Sequence, residues 1–265
     1  MLCGLKGPFV KFATQRNFRR KYPKVIYKIA SSRHTDHSLS NTAILFFSQT
    51  SAKEAATKNL FGRGKSIKLA EALISKTEEH INRSGLPVFR FHEGNQKGAT
   101  FGERLGNAFR SLYERGFQSV IAVGNDCPEL ENVSWESVVR ELQHGRAVLG
   151  QSSRGGAYLI ALNEEQFHSE GFKNLPWCRS GLFEALCRNT QEWSQCEIHL
   201  LQVLRDVNTL SDLKKLLKGR TLSEQFKTII LAITSPGASM NATTFRVPTL
   251  FTNETPSLRA PPSAD

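Results

Sequence analysis

Apolar residues along this chain fall into two kinds of pattern: short dense runs, and longer stretches in which they return every third or fourth position. Thr42-Ala-Ile-Leu-Phe-Phe47 has the composition of a buried strand, and similar runs at 87–91, 119–123 and 146–150 alternate with helical patterns at about 65–82, 101–115 and 133–143. That alternation predicts an α/β fold built on a mainly parallel sheet with helices on both faces. The helix over 101–115 is the most sharply marked, because Phe101, Leu105, Ala108, Phe109 and Leu112 share one face and Gly116 follows the last turn. Ala157–Leu162 is a further strand, entered directly from Gly155-Gly156, a pair that marks a turn or a close backbone approach to a ligand. The body is expected to span 41–218. A final helix follows within 219–234, where Leu222, Phe226, Ile229, Ile230 and Ile233 recur at helical spacing. The Thr-, Ser- and Pro-rich stretch 235–265 reads as a disordered tail.

Composition changes this picture little. With 265 residues, 39% hydrophobic and 22% charged, the chain is ordinarily globular, without an internal repeat. Its longest apolar runs, such as Ile44–Phe47 and Ile229–Ile233, are far short of a bilayer span. Five cysteines, Cys3, Cys127, Cys178, Cys187 and Cys196, show no metal-ligand spacing and read as reduced thiols in a cytoplasmic protein.

Charge matters more. The net charge is +11, but of 35 basic and 24 acidic residues nine and one fall within 1–36, leaving 26 against 23 in the remainder. The excess is therefore confined to a basic leader, 1–40, expected to be disordered, while a nucleic-acid-binding fold spreads its charge along a groove or helix face. Nucleic acid is accordingly not the expected partner of the body. The leader itself reads as a transit-like segment, an RNA-touching arm or an upstream extension of the reading frame.

In a doubly wound sheet ligands bind beyond the carboxyl ends of the strands. Three strand exits carry chemistry. Gly124-Asn-Asp-Cys-Pro-Glu-Leu130 sets a carboxylate on a tight turn, which is also what a plain turn looks like. Gln151-Ser-Ser-Arg-Gly-Gly-Ala-Tyr158 offers backbone N–H groups that could approach phosphate oxygens. Asp206-Val-Asn-Thr209 reads either as a cap for the helix opening at Ser211-Asp212 or as a hard-cation ligand with Asn208. Acids converging from separate strand ends are what Mg²⁺ or Mn²⁺ needs when substrate phosphates complete its shell, and Asp126 and Asp206 meet that demand.

Taken in order, Gly98-Ala-Thr-Phe-Gly-Glu-Arg-Leu105, Gly124–Leu130, Gly155-Gly-Ala-Tyr-Leu-Ile160, Asn174-Leu-Pro-Trp177 and Asp206–Thr209 resemble a bacterial family of GT-A-fold glycosyltransferase-like proteins. Some of its members are described as radical-SAM/selenodomain-associated or arsenosugar-biosynthesis glycosyltransferases. The resemblance covers roughly 41–218. It implies a nucleotide-diphospho-sugar transferase with a Rossmann-like fold, a divalent metal (Mg or Mn), a nucleotide-sugar donor and an acceptor that the sequence does not name; a nucleotidyltransferase relative is the neighbouring reading.

Residue by residue, the resemblance makes Asp126 the catalytic acid and places Asp126, Asp206 and Asn208 at the metal. It assigns substrate contacts to Lys53, Lys58, Glu103, Arg104, Asn125, Arg154, Gly155, Gly156 and Tyr158. Lys53 and Lys58 lie where the family carries a basic stretch suited to a diphosphate, poorly kept here, and an Arg–Glu pair ordering the helix start is an equal reading of Glu103-Arg104. Glu129 and His199 are candidate bases. Two departures stand out: Arg154 replaces the acid before the Gly pair, and Asn208 replaces the second acid of the late motif. A guanidinium ~6 Å from a divalent ion repels it by roughly 5 kcal/mol at an effective dielectric of about 20. Arg154 therefore either weakens the metal or takes over part of its work on a phosphate. The rival reading is a binding protein that kept the fold and lost the catalysis.

Overall fold

The computed structural model describes residues 25–26 and 41–235. Val25–Ile26 (β1), Thr42–Phe47 (β2), Val88–Phe91 (β3), Ser119–Val123 (β4), Ala147–Gln151 (β5), Ala157–Asn163 (β6) and Ile198–Leu200 (β7) form one sheet in the order β1-β7-β5-β6-β4-β2-β3. All neighbours are parallel except β6, which runs antiparallel to both β4 and β5. The connection from β5 to β6 spans only residues 152–156, far less than the dozen or more a parallel crossover needs, so the chain has to turn back on itself. β1 falls inside the stretch expected as a disordered leader; the rest of 1–40, like the tail beyond 235, lies outside the described residues.

Period-two alternation sends side chains to two cores. Ala43, Leu45, Phe47, Val120 and Ala122 pack on one face with helices Phe101–Tyr113 (α3), Ser169–Lys173 (α5) and Leu182–Ser194 (α6). Ile44, Phe46, Ile121 and Val123 pack on the other with Arg63–Asn82 (α2) and Trp135–Gln143 (α4). The short helix Ser51–Thr57 (α1) leads into α2. Leu210–Lys218 (α7) and Glu224–Thr234 (α8) close a third cluster in which Leu69 and Leu73 of α2 meet Leu213, Leu216, Leu222, Phe226 and Ile230.

Among the helices that escape the sequence pattern are α1 and α6. α1 carries a single buried apolar residue, Ala55, and so has no apolar stripe to read; α6 has such a stripe in Leu182, Phe183, Leu186 and Cys187. Cys127, Cys187 and Cys196 form no disulfide, whereas Cys178 is disulfide-bonded, a departure from the expectation of reduced cysteines throughout. Among the described residues no helix is long and apolar enough to cross a membrane.

Candidate functional site

The parallel strands β2 and β4 bring their carboxyl ends side by side, with Phe46 opposite Val123. Asp126 follows β4 on a buried turn before the 3₁₀ segment Pro128–Asn132. The stretch after β7 runs along the exit of β5, where Leu204 N–H donates to Gln151 and Ser153 N–H to Leu204, so that Val207 N–H reaches the carbonyl of Asp126 at 2.8 Å. Asp206 is thereby carried beside Asp126, and both acids are buried, at 1% and 3% exposure respectively.

Each acid holds its own cation. Lys58, at the C-terminal end of α1, places Nζ 2.5 Å from Asp126 Oδ1 and 2.7 Å from Glu54 Oε1. Arg154 donates through Nη2 to Asp212 Oδ2 at 2.7 Å and sets Nε 3.9 Å from Asp206. Asp206 also accepts from Ser153 Oγ at 2.9 Å and from Asn208 Nδ2. Burial pushes the Asp126 carboxyl up and the adjacent ammonium pulls it down, leaving it below its ordinary value. Glu54 moves the other way, raised by burial and by the charge of Asp126.

The structure gathers Lys58, Asn125, Asp126, Arg154, Asp206 and Asn208 at this end of the sheet, and it adds Glu54, Ser153 and Asp212. Glu54 was missed because its helix has no apolar periodicity. Asp212 was legible as the fourth residue of Thr209-x-x-Asp212, a capping box in which Thr209, not Asp206, caps α7. The cap reading of Asp206 is therefore replaced.

Several expected substrate contacts do other work. Glu103 accepts from Ala99 and Thr100 N–H in the capping box of α3, and Arg104 donates to the Ala99 carbonyl; no contact joins either to Asp126 or Asp206. The Gly155 N–H donates to the Ser152 carbonyl and the Gly156 N–H to Ser152 Oγ. The Gly pair therefore closes the β5–β6 turn, with Gly155 at φ +79°, and its donors are spent there instead of on phosphate. Lys53 is exposed on α1.

Tyr158 is fully buried, its ring against Gly150 and its hydroxyl donating to the Gln202 carbonyl at 3.1 Å, so it is a core residue. Tyr158→Phe is expected to cost about 1 kcal/mol in chemical denaturation and to leave ligand affinity unchanged. The candidate bases are also engaged: Glu129 accepts from Arg205 N–H at 2.8 Å, and His199 lies 3.6 Å from Glu141 with burial lowering its pKa.

Donors and charge decide how the site suits a divalent metal. Among the described residues no group of three or more His, Cys, Asp or Glu side chains is gathered to hold one, so there is no all-protein cage. Yet among the described residues four carboxylates, Glu54, Asp126, Asp206 and Asp212, face two cations, Lys58 and Arg154. A Mg²⁺-like ion needs only one or two carboxylates when substrate phosphates supply the rest, and Asp126 and Asp206 fit that mode. Asn208 does not fit it as expected, because it turns an amide N–H, not its oxygen, toward Asp206. Lys58 is the obstacle: an ammonium ~4 Å from a divalent ion repels it by about 8 kcal/mol at an effective dielectric of about 20.

A family model described as "Uncharacterized protein conserved in bacteria (DUF2064)" matches residues 73–179. No curated protein matches the chain. Among solved structures, a Desulfovibrio desulfuricans protein provisionally described as a nucleotide-diphospho-sugar transferase aligns at 20% identity over 72% of this chain and 94% of its own, with a TM-score of 0.63. The manganese complex of Rv0371C from Mycobacterium tuberculosis aligns at 13% identity over 68% of this chain and 100% of that one, with a TM-score of 0.36. A CMP:2-keto-3-deoxy-manno-octonic acid synthetase complexed with CTP gives 11% identity, 67% and 97% coverage and a TM-score of 0.33. The fold is the Rossmann-like α/β fold of nucleotide-diphospho-sugar transferases.

Proposed function

We propose that the chain binds a nucleoside-diphosphate sugar at the carboxyl ends of β2, β4 and β5 and transfers its glycosyl group, with Asp126 and Asp206 as the acids of the site. The convergence of these two buried acids, joined through Val207 N–H and the Asp126 carbonyl, carries the reading. Unmet hydrogen bonds support it. Ser48 Oγ and Gln49 Oε1 just beyond β2, and Asn125 Nδ2 just beyond β4, are buried without a partner among the described residues. Buried polar groups are nearly always paired, so donors and acceptors clustered here favour a polar ligand that completes them. The sequence resemblance to arsenosugar-type glycosyltransferases favours glycosyl over nucleotidyl transfer.

A divalent cation shared between Asp126, Asp206 and the donor's phosphates would offset charge on the departing diphosphate. The chain's own residues do the rest. Ser48, Gln49 and Asn125 offer orienting hydrogen bonds, Asp212 and Asp206 fix the Arg154 guanidinium, and Lys58 supplies positive charge at the same end of the sheet.

Calorimetric titration with uridine, guanosine, cytidine and adenosine diphosphate sugars, each with and without Mn²⁺, tests this. Binding of at least one donor is expected to require Mn²⁺ and to weaken at least about tenfold in Asp206→Asn, the loss of one charged ligand. The reading fails if none binds under either condition.

A further inference from the structure

Lys58 has three N–H groups and three oxygens around it. Asp126 Oδ1 and Glu54 Oε1 lie at 2.5 and 2.7 Å, and the Val207 carbonyl at 3.4 Å. These oxygens come from the end of β4, from α1 and from the stretch after β7, the three segments that build the acid site. The Val207 residue that accepts from Lys58 also donates its own N–H to the Asp126 backbone, so one ammonium ties the two acid-bearing segments together. The lysine side chain is only 13% exposed and that of Asp126 4%, which leaves water little part in screening the pair. Asn125, next in sequence to Asp126, keeps a buried amide nitrogen without a hydrogen-bond partner among the described residues.

We propose that Lys58 is the resident counter-ion of this site: it holds Asp126 against free divalent cations, so that a metal enters only with a phosphate-bearing ligand able to take up the displaced ammonium. Its second half rests on the nucleotide-sugar reading above; its first half does not. A free divalent ion at Asp126 has to displace or face the Lys58 ammonium, whereas a metal–diphosphate complex brings an anion that can take that ammonium up. Removing the ammonium takes its charge from two buried carboxylates, Asp126 and Glu54, and a metal then supplies what the lysine gave.

The test is Mn²⁺ binding to the full-length protein without nucleotide, followed by electron paramagnetic resonance and by the metal-induced shift in melting temperature. Wild type and Lys58→Arg are expected to show no stoichiometric binding. Lys58→Met is expected to bind one Mn²⁺ at least about tenfold more tightly than wild type and to melt higher in its presence, and Lys58→Met/Asp126→Asn to lose both gains. If Lys58→Met does not fold alone, Glu54→Gln/Lys58→Met, with one uncompensated carboxylate in place of two, is read in the same way. Stoichiometric Mn²⁺ on wild type that Asp126→Asn abolishes, or no gain on removing Lys58, overturns the proposal. Failure of every nucleotide sugar to bind would leave this comparison standing, so the two readings fall separately.

Discussion

Asp126→Asn is expected to destabilise the protein by about 3 kcal/mol or more, because it takes the closest anion from a buried ammonium and leaves Lys58 facing Glu54 and a carbonyl. The same change is expected to remove Mn²⁺-dependent binding of nucleotide sugars. A purely catalytic acid would lose binding or turnover without that stability cost, so urea denaturation beside calorimetry separates the two roles. Pairing the change with Lys58→Met should recover neither stability nor ligand binding, since Glu54 is then left buried without the ammonium that pairs it. A cost below about 1 kcal/mol for the single change would show that the ion pair contributes little.

The sign with pH follows from the direction of the shifts. Asp126 sits below its ordinary 3.8, so the stability it contributes is present above that value and lost as pH falls through the lower, folded value. Glu54, raised above its ordinary 4.5, works the other way: its burial is least costly when protonated, and it gives back part of that loss on acidification. Asp126→Asn is therefore expected to flatten the acid limb of stability below about pH 4, and Glu54→Gln to steepen the fall at pH above about 4.5, where Glu54 takes up its proton in the folded protein.

Gly102→Ala is the second change with a large expected effect. Gly102 lies in the first turn of α3, where a Cβ would meet the Lys173 carbonyl at 2.3 Å and the Trp177 ring at 2.5 Å. Alanine would gain about 1 kcal/mol of helix propensity. Against that, backbone and indole must both move, and overpacking of this kind costs roughly 3 kcal/mol. The clash wins by about 2 kcal/mol, read as a fall of roughly 4–8 °C in melting temperature for a chain of this size. Stability at or above wild type would mean that α3 and the Trp177 segment are not packed this closely. The Gly-Glu-Arg motif that resembles a substrate contact is accounted for by this packing and by the capping box of Glu103.

Much of the scaffold was legible because strand runs and amphipathic helices announce themselves by period. β2 and β4 fall where the pattern puts them, and α3 and α4 differ only at their ends. The reversal at β6 was not legible, because only the length of the connection after β5 separates a hairpin from a parallel crossover, and strand composition is the same for both. The site was half legible. Asp126 and Asp206 stand at strand exits, where topology alone directs attention, but nothing in the sequence says that Lys58 folds back onto Asp126 or that Arg154 meets Asp212. Those pairings depend on the path of α1 and on the segment after β7, neither of which carries a periodic signal. Tyr158 shows the converse: a residue inside a matching motif that the hairpin buries.

The reversed strand β6 also bears on how the molecule comes apart. Its backbone bonds to β5 on one side and to β4 on the other, so among the described strands the hydrogen-bonded ladder between the two parallel halves of the sheet runs through it. The β5–β6 hairpin is local in sequence and can form early, whereas joining β6 to β4 closes a loop of some 40 residues and has to come later. Amides of β6 should then exchange with solvent more slowly than those of the edge strand β3, because exposing them requires both halves to part at once.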